Sequence, residues 1–429
     1  MNRIKVTILI LCLQCICTLG SCQKPPKPIP PIKPPAFPTN LEVVWNAPIY
    51  SDSVSDIFLN HVFAADQYVV VANMFDSDGG KPRGIGVYNK QTGERHSAWK
   101  NDPGGIFTPT ELEDIKDCKI AGKNKDIILI YSGRDLLAYS LHSGQRMWGL
   151  TDLLGEPEMT VTTDHVFIPY GQGTYSASWK RIAIVDVYSG VKRDVVELYA
   201  EDNYEICIST PSAYVNSERD TLLYYVTDAY NFSTAKGRIW AYCYNLTKKE
   251  MVWVNKQFTT SRSVSTAQPP PIAIENDKLI VASSHAIHCL NRLTGKLIWQ
   301  KETFSMGGTM PHLYRDGWVY LRYGNPTTLL CLDAQTGQEI WKNTEVNPYP
   351  AFHGAMDIYD GKLYCSASGN YVDCHLVCVD AQTGKTLWVD GGPTGHIAFG
   401  VLIDQKTGYL YCNTGWSLMC VDLKKTPRK

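Results

Sequence analysis

From Leu41 onward, apolar and polar residues alternate along short stretches separated by polar turns. Residues 360–380 show the unit well: a turn "DGK", an alternating stretch "LYCSAS", a second turn, then "HLVCVD". Alternation places successive side chains on opposite faces of a strand, and a turn between two such stretches is a hairpin signal. The pattern predicts short antiparallel strands.

The second stretch of each unit runs into a recurring element. It reads "NKQTGERHSAW" from Asn89, "SLHSGQRMW" from Ser140, "DVYSGVKRD" from Asp186, "NLTKKEMVW" from Asn245, "NRLTGKLIW" from Asn291, "DAQTGQEIW" from Asp333, "DAQTGKTLW" from Asp380 and a truncated "DLKKT" from Asp422. The eight anchors are spaced 51, 46, 59, 46, 42, 47 and 42 residues apart, the period of a four-stranded propeller blade. The Asp or Asn can cap the turn through its side chain, and the Gly supplies the positive φ of a tight, bulged hairpin. The Trp that typically follows four residues after the Gly falls on the outermost strand, where its ring can fill the wedge between neighbouring blades. Two copies depart from the pattern: Asp194 stands where Trp is expected and Lys249 occupies a Gly slot, so those blades should pack less regularly.

The last copy has no Trp strand after it, while "LEVVWNAP", carrying Trp45, precedes the first copy as an orphan strand. Using it as the outermost strand of the last blade would leave no exposed edge at the junction. The expected fold is therefore all-β: an eight-bladed β-propeller of four-stranded antiparallel blades over residues 41–429, closed by the N-terminal strand near Leu41 to Pro48.

Ahead of the repeats, Asn2, Arg3 and Lys5 precede the apolar stretch "VTILILCLQCICT" and then "LGSC", the order of a secretory signal over residues 1–21. A Cys directly after Leu19, Gly20 and Ser21 resembles the lipobox of bacterial lipoproteins, and Cys22 is read as a lipidated residue. The alternative is an ordinary cleaved signal with an incidental Cys. Residues 22–40 include the run "PPKPIPPIKPPAFP", expected to form a stiff polyproline stalk whose lysines Lys24, Lys27 and Lys33 sit near lipid headgroups. Gln23 and Lys24 follow the Cys, with no Asp to suggest inner-membrane retention, which favours the outer membrane.

A net charge of -1 gives no bulk attraction for nucleic acid, and none is expected as a partner. Ten cysteines remain after Cys22, and four of them, Cys289, Cys331, Cys378 and Cys420, occupy one strand position in successive blades. Equivalent positions lie a blade apart, so buried thiols are expected rather than disulfides. Cys374 and Cys378 have no second pair at zinc-ribbon spacing, and no metal site is expected.

The "DAQTGQEIW" and "DAQTGKTLW" copies resemble the PQQ-like propeller repeat family, over the chain from about Leu41 to Lys429. Within that superfamily, the lipobox, the length and the lack of appended domains look most like the lipoprotein of the outer-membrane β-barrel assembly machinery. That likeness implies a non-enzymatic scaffold, lipid-anchored in the outer membrane, monomeric, and bound to an envelope protein partner. Another branch implies a quinoprotein dehydrogenase holding pyrroloquinoline quinone and calcium at the axis. Its adjacent Cys pair is missing here, as is any CxxCH haem site, so no cofactor and no catalytic residue are expected. Trp179, Trp240, Trp318 and Trp416 lie outside the repeated Trp slot and leave open a stacking floor for a ligand.

His61, His312, His353 and His396 are read as falling just before or at the start of innermost strands, which line a propeller's channel. With Trp416 they keep a glycan or small-ligand site at the channel mouth as the rival reading. The loops speak for a protein partner. Blade-to-blade connections and the turns between second and third strands open on one face; there lie the long segments 170–181, 227–238, 255–271 and 343–354. Their aromatic residues Tyr175, Trp179, Tyr230, Phe232, Phe258, Tyr349 and Phe352 have the character of interface anchors, although each could simply cover its own loop. Since the two irregular copies carry the loops around Trp179 and around Tyr230 and Phe232, the main binding surface is expected on blades three and four.

Overall fold

The computed structural model describes residues 41–426, except 49–57, 76–83, 102–104, 107–114, 116, 133, 154–158, 172–178, 200–204, 232–235, 259–272, 283–285, 303–311, 324–327, 347–355, 369–373, 391–396 and 415–416. Cys22, the signal and the stalk lie outside the described residues.

Residues 37–429 form one compact unit of eight antiparallel sheets arranged as propeller blades. The closure follows the prediction. Strand Val43–Pro48 pairs with Ser417–Asp422, which continues through Tyr409–Thr414 to Ile397–Asp404, so the last blade contains the first strand of the chain. Trp45 stands opposite Cys420, in the slot that the C-terminal segment leaves open.

Two blades differ from the simple four-stranded form. In blade one, strands Phe58–Ala64, Tyr68–Phe75 and Gly84–Asn89 form a three-stranded sheet, and the fourth position is taken by a single bridge from Tyr88 to Arg95 followed by a 3-10 turn, Ser97–Trp99. Trp99 comes six residues after Gly93 instead of four, and the 3-10 turn takes up the difference while leaving the ring fully buried. In blade four, the innermost strand is split into Glu205–Ile208 and Ser212–Val215, both paired with Thr221–Asn231. Pro211 in the break has no N–H for the ladder, and Ser209 bridges it by exchanging bonds with Val226 at 2.8 and 2.9 Å.

The repeated turn works as the residues imply. The carboxylate of Asp333 accepts from the backbone N–H groups of Gln335 and Thr336 at 2.9 and 2.7 Å, and Asp380 does the same for Gln382 and Thr383. Gly337 and Gly384 take φ of 71° and 74°. A bulge then lies between the two strand residues before the Asp or Asn, as at Cys331/Leu332 and Cys378/Val379. It brings the Trp opposite the Cys.

Each such row is a sandwich. Tyr320, Cys331 and Trp341 face each other across three strands, as do Tyr364, Cys378 and Trp388, with Tyr and Trp ring centroids 6.0 Å apart in both. A small side chain on the middle strand lets two large rings meet above it. Among the described residues the eight cysteines whose side chains are seen are free and buried, and burial pushes thiols such as Cys331 and Cys378 up to about 12. These are packing groups, unreactive at neutral pH.

Trp rings lock neighbouring blades together. Indole N–H groups donate to a turn carbonyl of the following blade at six seams: Trp45 to Lys90, Trp99 to Leu141, Trp148 to Val187, Trp253 to Arg292, Trp299 to Ala334 and Trp341 to Ala381, at 2.6 to 3.1 Å. The ring also lies across the next blade's turn Gly: a Cβ on Gly93, Gly190, Gly295, Gly337 or Gly384 would stand 2.5 to 2.7 Å from a Trp atom of the preceding blade. The Gly therefore serves both φ and the neighbouring ring.

That double duty explains why the two irregular copies are adjacent. Blade three sends no ring forward, so the Gly slot of blade four can hold Lys249, at φ 57°. The sequence count placed Asp194 in the Trp slot, and the structure corrects it. In blade three the bulge falls later, between Ile182 and Ala183, so Arg193 stands opposite Ile184 and Asp194 opposite Ala183. Asp194 turns toward Tyr170, whose hydroxyl donates to it at 2.7 Å. The seam to blade four is filled instead by Val196, Ile208, Leu223 and the stacked pair Tyr225 and Tyr242, 4.7 Å apart.

One buried group sets a pH dependence. His288 lies within strand Ala286–Asn291, and burial pushes its imidazole from 6.5 down to about 4. Between these values the unfolded chain takes up a proton that the native chain does not. Stability is thus full above about pH 6.5 and falls as the pH drops toward 4, by about 3 kcal/mol at 1.36 kcal/mol per unit. Burial raises the carboxyls of Asp117 and Asp357, which act in the opposite direction. The His288 contribution is therefore isolated by comparing urea unfolding of the wild type and His288→Leu from neutral pH to about pH 4. The wild type should lose about 3 kcal/mol more than the variant; parallel curves would show that His288 is protonated in the fold.

Candidate functional site

The hairpin geometry defines two faces. The Asp/Asn-to-Gly turns and the "DGK" turns close one face, while the connections between second and third strands, and between blades, open on the other. Of the binding candidates named from the sequence, Tyr175, Phe232, Tyr349, Phe352, His353, His396 and Trp416 lie outside the described residues. The backbone places three others together at the loop face: Trp179 opens strand Trp179–Asp186, Tyr230 is next to last in Thr221–Asn231, and Phe258 ends Glu250–Phe258. His312 opens the innermost strand of blade six, on the connection from blade five, while His61 lies within that of blade one, three residues before its end.

Blade four stands out from the ring. Among the described residues its central strands pair through ten residues, from Leu222 and Asn245 to Asn231 and Lys236, against five to seven in the other blades. Since the short-turn ends are fixed by the repeated turn, the surplus of at least three pairs extends the hairpin by about 10 Å on the loop side. From the sequence, residues 227–238 are expected to be a long loop, and the structure corrects this: one strand runs on to Asn231 and the next begins at Lys236, because the two pair all the way to these residues.

The side chains seen in this sector are charged and aromatic. In blade three, Lys192 donates to the Tyr170 hydroxyl at 2.9 Å, lies over its ring at 4.5 Å and pairs with Asp194 at 3.3 Å. Arg181 pairs with Glu197 beside them; this bond raises the guanidinium and lowers the carboxyl. In blade four, Arg238 and Lys256 stand over the Trp240 ring at 4.4 and 4.1 Å. These cations already occupy Trp240, so it is not an open stacking floor. Trp318 packs against Tyr320 within the core between blades six and seven and offers none either.

Among the described residues no group of three or more His, Cys, Asp or Glu side chains could hold a metal ion, and no helix is long and apolar enough to cross a membrane.

Eight closed blades, with the repeated Asp/Asn-to-Gly turn and the Trp lock at their seams, make this chain an eight-bladed β-propeller. Residues 283–403, from blade five into blade eight, match the family model described as outer membrane protein assembly factor BamB. Among solved structures, BamB from Moraxella catarrhalis is 12% identical, with 88% of this chain and 100% of that chain covered and a TM-score of 0.54. Quinohemoprotein alcohol dehydrogenase from Comamonas testosteroni is 13% identical, covering 89% and 76%, with a TM-score of 0.60. The Dos1 propeller is 9% identical, covering 89% and 96%, with a TM-score of 0.57. Such identities establish the fold alone. No curated protein matches the sequence.

Proposed function

We propose that the chain is a non-enzymatic scaffold, held to the outer membrane by a lipid on Cys22, that binds an envelope protein partner through the loop face of blades three and four. Its role is in outer-membrane protein assembly. The projecting hairpin of blade four carries this reading: its ten described pairs against five to seven add nothing to ring closure, and they carry the backbone of Tyr230 and Asn231 to the loop side. The match of residues 283–403 to the BamB family model supports the assembly role. The missing cysteine pair and haem site support a scaffold over a quinone enzyme.

Interface anchors and packing groups respond differently to truncation. With Trp179, Tyr230 and Phe232 changed together to Ala, capture of the crosslinked envelope partner should fall by at least about a hundredfold, as expected when hot-spot residues worth about 2 kcal/mol or more are lost. Thermal unfolding should stay nearly unchanged. Intact capture, or unfolding lowered as by a core truncation, would refute the assignment.

A further inference from the structure

Several buried charges in this fold are met by partners. Asp117 pairs with Lys119 at 3.2 Å, Asp220 with Lys248 at 2.7 Å, and Arg292 donates to the Asn276 carbonyl and the Tyr224 hydroxyl at 2.7 and 3.3 Å. Arg322 differs. It is 2% exposed, its Nη1 donates to the Ser366 carbonyl, and its Nε and Nη2 have no hydrogen-bond partner among the described residues. Burial disfavours the charged form, and among the described residues only the Cys365 thiol acts against this.

The strand sets the position. Arg322 is next to last in Trp318–Tyr323, the second strand of blade six, at its loop-face end. Alternation puts it on the same side as Tyr320, which packs in the seam between blades six and seven, and Ser366 lies on the second strand of blade seven. The guanidinium therefore sits in that seam, beneath the loop face. Leu329, across the ladder from it, and Cys365, next to Ser366, are both buried.

The two groups left over belong together. Nε–H and the Nη2–H on the same side of a guanidinium point in parallel, the fork that takes both oxygens of a carboxylate. An arginine in a protein does not shed its proton, so the buried charge has to be met in place. A single negative charge neutralises it, whereas a phosphate dianion would leave a buried net charge of the other sign. We propose that the seam between blades six and seven binds a small monocarboxylate anion, held side-on by Nε and Nη2 of Arg322. This site is separate from the aromatic loops of blades three and four and does not depend on a protein partner there.

Equilibrium dialysis with labelled acetate tests the assignment. The full chain, purified in detergent and dialysed into sodium chloride, should take up acetate saturably, one per chain. Formate should displace it, and phosphate at the same concentration should not. Arg322→Lys keeps the charge but not the fork, and should weaken uptake about tenfold or more, as expected when one charge-assisted hydrogen bond is lost. Arg322→Leu should abolish uptake. In chloride this variant should unfold at no lower temperature than the wild type, because it removes a buried charge that no described side chain neutralises. Added acetate should raise the unfolding temperature of the wild type and leave that of Arg322→Leu unchanged. A wild type that takes up no acetate, equal uptake by Arg322→Leu, or displacement by phosphate as strong as by formate would overturn the proposal.

Discussion

Trp45→Ala is expected to lower the unfolding free energy by about 3–5 kcal/mol, and deletion of residues 41–48 to cost more still. The ring of Trp45 lies across Gly93, its N–H donates to the Lys90 carbonyl at 3.0 Å, and it packs with Tyr411 at 6.0 Å, so one side chain joins blades eight and one. Its strand also covers Ser417–Asp422, in which Leu418, Met419, Cys420 and Val421 are wholly buried. Without that cover a buried edge becomes a template for pairing between chains. Urea unfolding combined with size-exclusion chromatography checks this: the deletion should unfold at much lower urea and associate. A monomer with an unchanged midpoint would mean that the ring does not depend on this strand.

The second large effect concerns the turn glycines. Gly384→Ala would put a Cβ 2.5 Å from the Trp341 ring at a φ of +74°. The left-handed backbone costs about 1–2 kcal/mol for a side chain, and forcing the ring aside adds about 1–3 kcal/mol. Gly361 is the control, since its φ is +70° and nothing lies within 4 Å of a Cβ there. Gly361→Ala should therefore cost only about 1–2 kcal/mol. In a Trp341→Ala background the cost of Gly384→Ala should fall to that of the control, a coupling that a double-mutant cycle measures directly. Additive effects would show that the Gly answers to backbone conformation alone.

Much of the fold was legible in the sequence because the constraints are local. Alternation, capped turns and Trp spacing each depend on residues close in the chain, and the orphan strand with Trp45 supplied the closure. The meaning of the irregular copies was not legible. The loss of Trp in one copy and of Gly in the next are a single event across a seam, visible only when the ring of one blade is seen over the turn of another. The position of Asp194 failed for a similar reason: counting from Gly190 assumes that the bulge keeps its place, and in blade three it moves to Ile182/Ala183. Asn255 and Asn343, two residues after Trp253 and Trp341, were also passed over. Their side chains donate to the Gly295 and Gly384 carbonyls of the next blade at 2.6 and 2.7 Å, a tie that the spacing W-x-N could have suggested.

For the candidate site, the sequence located the sector but not its projection. Long loops and aromatic residues singled out blades three and four, and the Trp179, Tyr230 and Phe258 strand ends meet at that face. The extended blade-four hairpin, and the cations stacked on Trp240, arise from pairings across strands that composition does not encode.

The central claim is that a protein partner sits on the loop face of blades three and four. It is tested most directly by placing a photo-crosslinking amino acid, one site at a time, at Tyr175, Phe232, Thr336 and Gln382 in living cells. Thr336 and Gln382 lie in exposed short turns on the other face. The account predicts a covalent adduct with one envelope protein from Tyr175 and Phe232 and none from Thr336 or Gln382. No adduct from the first pair, or the same adduct from all four, would contradict it.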